Sequence, residues 1–417
     1  MDTLRTLWGH ADFRRLWLGQ SLSEVGNRMT TVVIAMYVLH LTGSTGAVGA
    51  VLAAEAVATT LALPFGGVIA DRVPRRRVMI ATDLVRLAAQ GAIAVLAFTT
   101  APPVWLIALL VAATGAAGGF FQPAYRGLLP QTIPEDLIQE AQTVSQVSRN
   151  LALLVGPAVG AVLAVSAGFG WAYVVDAGTF AASAALLVGV RARARGEARD
   201  RAQTPSLRRD LAEGLGEVTS RPWVWVTVLW TLGWVMLCLA PYFALGAAVG
   251  RDLYDDTRMF GWMEAAAGAG AVAGVVGGFR WRPARPMLAA LCTPAGWLTA
   301  LLLFAHGAPV WLVLPVMAVG GAMFTMFEVL WTTSLTRFIP PHAISRVSAW
   351  CWIVPSAAMP LGFAAAGALG ARMEPATVLT AATLAGAATT LAALASPGVR
   401  TLRDPRRTPA PEVVPEA

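Results

Sequence analysis

Four glutamates, Glu24, Glu55, Glu264 and Glu328, stand inside long apolar stretches, where a charge is costly and commonly functional. The chemistry open to a carboxylate there is to take up and release a proton, because loss of water favours the neutral acid and a nearby Arg opposes it. All 31 basic residues are Arg, which stays protonated, so a proton carrier must be a carboxylate, with His the weaker choice. Glu24 has Arg28 one turn away and reads as a paired charge, whereas Glu55, Glu264 and Glu328 have no Arg close in sequence. Glu328 and Glu55 therefore lead, Glu24 follows, and Glu264 lies nearer the outer surface. Asp83 and Arg86, three residues apart, read as a local ion pair. Gln20, Glu24, Asn27 and Thr31 share one helical face, which is expected to look into a cavity. Cys238, Cys292 and Cys351 fall in apolar segments without paired spacing, and His10, His40, His306 and His342 are scattered. No metal site, cofactor site or nucleophile–base set is therefore expected, which disfavours an enzyme or a sensor.

The elements that must hold these residues are written for lipid. The chain is 56% hydrophobic and 13% charged over 417 residues, with a mean hydropathy of +0.62. A membrane helix needs about 20 mostly apolar residues, and the sequence divides into twelve such runs, at roughly 14 to 41, 46 to 70, 78 to 99, 103 to 125, 140 to 166, 171 to 190, 223 to 246, 258 to 279, 286 to 305, 309 to 333, 344 to 370 and 375 to 396. The net charge of +7 lies between these runs, so it speaks for a membrane and against nucleic acid. The first run, with Glu24, Asn27 and Arg28, is too long and too polar for a cleaved signal. Arginines fill alternate gaps: Arg14 and Arg15, then Arg72 and Arg75 to Arg77, Arg126, the segment "RARARGEARDRAQTPSLRRD", Arg280 to Arg285, Arg337 and Arg346, and Arg400 to Arg407. Short Arg-rich loops stay in the cytoplasm, so an even number of helices with both termini inside a bacterial plasma membrane is expected.

The chain also repeats. "GGVIADRVPRR" after the second run answers "GGFRWRPAR" after the eighth, and "LPQTIPEDLIQEAQ" before the fifth answers "LTRFIPPHAISRVS" before the eleventh. Two halves are expected, residues 1–190 and 222–396, joined by a polar linker over 191–221 and followed by a Pro-rich tail over 397–417 that is expected to be disordered.

Gly67, Asp71, Arg72, Arg75 and Arg76, placed between the second and third runs, resemble the loop signature of the major facilitator superfamily. "FRRLWLGQSLSEVGN", "LTGSTGAVG", "DLVR", "FFQPAYRGLLPQTIP" and "VGPAVGAVLAV" resemble its twelve-helix drug-exporting branch, which includes macrolide and enterobactin exporters. Departures are Asn27 where many relatives have Asp, Ala161 in place of the second glycine of the fifth-helix motif, and no counterpart of Asp71 in the second half. The resemblance implies an all-α fold of two pseudo-symmetric six-helix bundles that rock around a midplane site. It makes Gly156, Pro157 and Gly160 an antiporter motif that seals the cavity. It makes the loop a latch, in which Gly67 lets the second and eleventh helices approach, Asp71 faces the N-terminus of the eleventh, and the arginines pair with Asp83 or with lipid headgroups. It places Phe121, Gln122, Trp230, Trp234, Phe324, Phe327 and Trp331 on cavity-lining helices, a wall suited to an amphipathic, cationic organic molecule. The expected partners are that molecule, protons and membrane lipids, acting on a monomer. The expected activity is proton-coupled export of drug-like or siderophore-like molecules; an importer or facilitator of the same architecture is the second reading.

Overall fold

The computed structural model describes residues 2–99, 102–191, 207–340 and 343–402, the side chain of Asp71 and a few others excepted. The Pro-rich tail beyond 402 and most of the linker lie outside these residues. Every regular element among them is helical. A short helix α1 (Asp2–Gly9) leads into α2 (Ala11–Thr42), α3 (Thr45–Arg72), α4 (Arg75–Thr99), α5 (Val104–Leu128), α6 (Ile138–Ser166) and α7 (Phe169–Val188). An amphipathic helix α8 (Leu207–Thr219) follows, inside the expected linker. The second set comprises α9 (Pro222–Trp234) and α10 (Ala240–Tyr254), then α11 (Arg258–Arg280), α12 (Pro286–Cys292) with α13 (Ala295–Ala305), α14 (Val310–Phe338), α15 (Ile344–Gly370), α16 (Pro375–Ala395) and the single turn α17 (Pro397–Thr401). Among the described residues, nine helices are long and apolar enough to cross a membrane. The fold is that of an all-α membrane protein.

Local sequence sets the breaks. Gly43 closes α2 in the left-handed region (φ 64°), and the Ser44 side chain caps α3 by accepting from the Ala47 N–H. Proline opens α9, α12 and α16 at their first turns, where its missing N–H costs nothing. Two breaks were not expected. A π-helical turn, Val235–Leu239, joins α9 to α10; the wider turn accommodates Pro241, whose ring crowds the carbonyl four residues back. Pro294 likewise divides the ninth rod into α12 and α13. α14 runs five residues past its apolar run, because hydropathy marks where lipid ends and not where a helix must.

Pairing repeats between the halves. α3 packs on α5 through Gly66 and Gly119, and α11 packs on α14 through Gly270, Gly274 and Gly321, each against the neighbour's backbone. α4 packs on α7 as α13 packs on α16.

The halves meet at the end away from the Arg-rich loops. A Cβ on Gly49 of α3 would stand 2.6 Å from the Phe363 carbonyl and 2.7 Å from Gly367 Cα of α15, and Ala161 of α6 abuts Gly261 of α11. Eighteen residues on from Gly49, five turns along the same face of α3, a Cβ on Gly67 would meet nothing within 4 Å among the described residues. Leu63, Val147, Val272 and Ile353, on the facing surfaces of α3, α6, α11 and α15 near the Arg-rich end, are exposed. The rods are thus sealed at one end and splayed at the other.

Candidate substrate and coupling site

The first half encloses a charged interior. On α2, Gln20 Nε2 donates to Glu24 Oε2 (3.3 Å) and Arg28 Nε to Glu24 Oε1 (3.0 Å), a ladder one turn per step. Gln20 and Glu24 are buried, whereas Arg28, Asn27 and Thr31 retain exposure. The face expected to look into a cavity is partly exposed at Asn27 and Thr31 and buried at Gln20 and Glu24, where the carboxylate is drawn to its own helix neighbours. Behind α2, Thr30 Oγ1 donates to Asp176 Oδ2 of α7 at 2.6 Å. Gly26 makes the approach possible, since any Cβ there would collide with Asp176 and Thr179.

Asp83 and Arg86 belong to this interior. Ser183 of α7 donates to Asp83 Oδ2 (2.7 Å), and Arg86 Nη1 lies 3.8 Å from Asp83 Oδ1. The guanidinium is held over the rings of Phe121 (4.9 Å) and Phe180 (5.3 Å). The expected pairing of Asp83 with the loop arginines is therefore corrected: two turns inside α4, Asp83 faces α7. Arg75 instead donates to the Gly127 carbonyl (2.9 Å), and Arg76 to the Val190 carbonyl (2.8 Å). Glu55, half-buried on α3, lies against α5, where Gly115 lacks the Cβ that would crowd its Cγ.

The second half is aromatic where the first is charged. Trp230 Nε1 donates to Thr390 Oγ1 of α16 (2.9 Å), and this bond turns the ring into the bundle. Trp230 contacts Trp234 (5.6 Å between centroids) and Phe327 (4.9 Å), and Phe324 bridges Trp234, Phe327 and Trp297. Trp230, Trp234 and Phe327 are 3% exposed and Phe121 is 1% exposed. These four therefore fill bundle cores instead of walling an open cavity, while Gln122, Phe324 and Trp331 keep partial exposure. Glu264, within two turns of the Arg-poor end of α11, is buried against Tyr242 of α10. Glu328 is exposed. It lies one turn from Phe324 and two turns from Gly321, between the face α14 turns to α9 and the face it packs on α11.

The fifth-helix glycines divide their task. A Cβ on Gly156 or Gly160 would strike Arg28 and Met29 of α2, so both pack α6 within its own half, around Pro157 in mid-helix. The cross-half contact falls to Ala161. Gly67 is corrected as well: among the described residues nothing of the eleventh helix, α15, would meet a Cβ there, and Gly49 makes that contact at the opposite end. The Asp71 side chain lies outside the described residues; Arg72 is exposed at the end of α3. Sequence spacing does not show that α7 receives both Asp83, through Ser183, and Thr30, through Asp176, although Asp176, Phe180 and Ser183 form one stripe along that helix.

The family model of the Major Facilitator Superfamily matches residues 16–362. The macrolide efflux protein A of Streptococcus pyogenes is 27% identical over 151 residues, a match that spans 36% of this chain and only 37% of that protein. Longer matches are to the multidrug efflux pump Tap of Mycolicibacterium fortuitum (26% identical, 82% of this chain and 85% of that protein) and to the enterobactin exporter EntS of Salmonella typhimurium (26%, 89% of each). Among solved structures, the nucleoside transporter NupG superimposes with a TM-score of 0.70 at 12% identity over 94% of this chain and all of that one. A bacterial homologue of the iron transporter ferroportin in an inward-facing state gives 0.64 at 16% identity, over 92% of this chain and 99% of that one. With helices paired alike in both halves, a seal at one end and a family match across most of its length, this chain belongs to the Major Facilitator Superfamily of transporters.

Proposed function

We propose that this protein exports amphipathic organic molecules from a bacterial cell in exchange for protons, as a monomer that crosses the plasma membrane twelve times with both ends in the cytoplasm. The observation that carries the reading is the sealed and splayed geometry: Gly49 and Ala161 close the Arg-poor end, and Gly67 faces open space at the Arg-rich end. By the charge rule the Arg-rich end is cytoplasmic, so the arrangement is one that loads from inside. Two halves, 1–190 and 222–396, rock about the midplane, and the loop at Gly67, Asp71 and Arg72 becomes a latch in the opposite state. The family's efflux members favour a drug-like or siderophore-like cargo.

The aromatic lining is thinner than the sequence implies, and Phe324, Trp331, Gln122, Asn27 and Thr31 are the cargo contacts this reading retains. Glu328 and Glu55 are the coupling groups it favours. Glu328 is exposed and Glu55 half-buried, and neither has an Arg one turn away in sequence as Glu24 has Arg28. The test is ethidium transport into inside-out proteoliposomes with an imposed pH gradient. Wild type is expected to accumulate the dye only with the lumen acidic, and Glu328→Gln or Glu55→Gln to lose the gradient dependence while still letting dye equilibrate. Gradient-driven uptake that survives in both variants removes these residues from coupling. Dye movement in the opposite sense makes the protein an importer.

A further inference from the structure

The Arg-rich end of the first half holds a cavity of about 470 Å³ between the start of α2, the start of α4 and the end of α7. It is lined by Asp12, Arg15, Arg76, Val188, Gly189 and Arg191, among others. Three arginines and one carboxylate line it. Arg15 Nη1 donates to the Gly189 carbonyl (2.7 Å), and Arg76 Nη1 donates to the carbonyls of Val190 (2.8 Å) and Val188 (3.3 Å), so two guanidinium groups cap the C-terminal end of α7. Asp12 is shared: its Oδ1 accepts from the Arg191 backbone N–H (3.0 Å) and stands 3.7 Å from Arg15. Each capping arginine spends one nitrogen on these carbonyls. The rest of each planar donor fork is suited to an oxyanion.

The surroundings identify the anion's carrier. Ala11 and Arg15 continue along one face of α2 into Leu18 and Leu22, both exposed. On α7, Val188 at the rim is 62% exposed, and Val174 is exposed further along the same side. A cationic cradle thus sits at the head of two exposed apolar tracks that run toward the sealed end. We infer that this cavity binds the phosphate of an anionic phospholipid, with its acyl chains lying along α2 and α7. The inference rests on the membrane-spanning reading but not on export or proton coupling. A soluble phosphate shares the headgroup chemistry and lacks the chains.

The test titrates the full chain, purified in detergent, with dioleoylphosphatidylglycerol and reads bound lipid by native mass spectrometry. Wild type is expected to retain one lipid that dioleoylphosphatidylcholine does not replace. An arginine near an anionic headgroup is worth about five-fold in affinity. Arg191→Gln should therefore weaken binding about five-fold, and Arg15→Gln/Arg76→Gln/Arg191→Gln roughly a hundred-fold. The Arg191 side chain caps no helix carbonyl, so the single variant leaves the α7 terminus intact and reads the site without a folding defect. Arg282→Gln/Arg285→Gln removes two charges from the other half and is expected to bind as wild type does. Unchanged affinity in Arg191→Gln, or an equal loss in the Arg282→Gln/Arg285→Gln control, overturns the site. Displacement of the lipid by millimolar inorganic phosphate overturns the lipid assignment, because the chains would then contribute nothing; resistance to phosphate supports it.

Discussion

Arg86 has almost no route to water, at 6% exposure, and is balanced by Asp83 beside it and by the faces of Phe121 and Phe180. Breaking a buried pair from one side leaves an uncompensated charge, which costs about 3–5 kcal/mol, whereas removing both members is often close to neutral. Arg86→Met is therefore expected to lower the thermal unfolding temperature in detergent sharply, and Asp83→Asn/Arg86→Met to recover most of the loss. If the double variant is as unstable as the single, the pair is not what stabilises this interior. At this scale the sequence was half legible. Glu24 with Arg28 and Asp83 with Arg86 follow from spacing along one helix. The bonds from Thr30 to Asp176 and from Ser183 to Asp83 join helices more than 90 residues apart in sequence, and no local spacing encodes them. The aromatic residues failed for the same reason: Trp230 turns inward because Thr390, 160 residues on, accepts its N–H.

Among helices, glycine placement decides which ends touch. At Gly49 the atoms in the way of a side chain belong to the backbone of α15, which cannot swing aside, while at Gly67 the space is open. Gly49→Leu should wedge the sealed end apart, and Gly67→Leu should be accommodated here but obstruct closure of the splayed end. In a cysteine-free background carrying Asn27→Cys, labelling by an impermeant maleimide from the outside is expected to rise in Gly49→Leu and fall below the parent in Gly67→Leu. Equal labelling in all three would show that these contacts do not set the balance. Hydropathy and arginine placement made the rods and their order legible, since each apolar run demands about 20 residues of helix. They did not reveal the π turn before Pro241 or the break at Pro294, because a proline inside a membrane helix is often absorbed without interruption, as Pro123 is in α5.

For the whole molecule, the internal repeat predicts two similar bodies, and α3 packs on α5 as α11 packs on α14. A repeat does not reveal which end of the bodies is closed, because both arrangements use the same sequence and differ by a rigid rotation about the midplane. That choice rests on small contacts, Gly49 with Gly367 and Ala161 with Gly261, set against open space at Gly67. Around those contacts α3 packs along α15 and α6 along α11, so inversion requires a ligand that binds the two states unequally, and the shift is limited to that difference in affinity. Spin labels at Leu63→Cys and Ile353→Cys report the Arg-rich end, and labels at Ser44→Cys and Arg372→Cys the other. As conditions change, the first distance is expected to shorten whenever the second lengthens, with protonation at low pH and bound cargo moving the populations. Rigid bodies require that opposition. Two ends that opened or closed together, or moved independently, would mean bending within a half, and the symmetric packing would then be a scaffold without being the moving part.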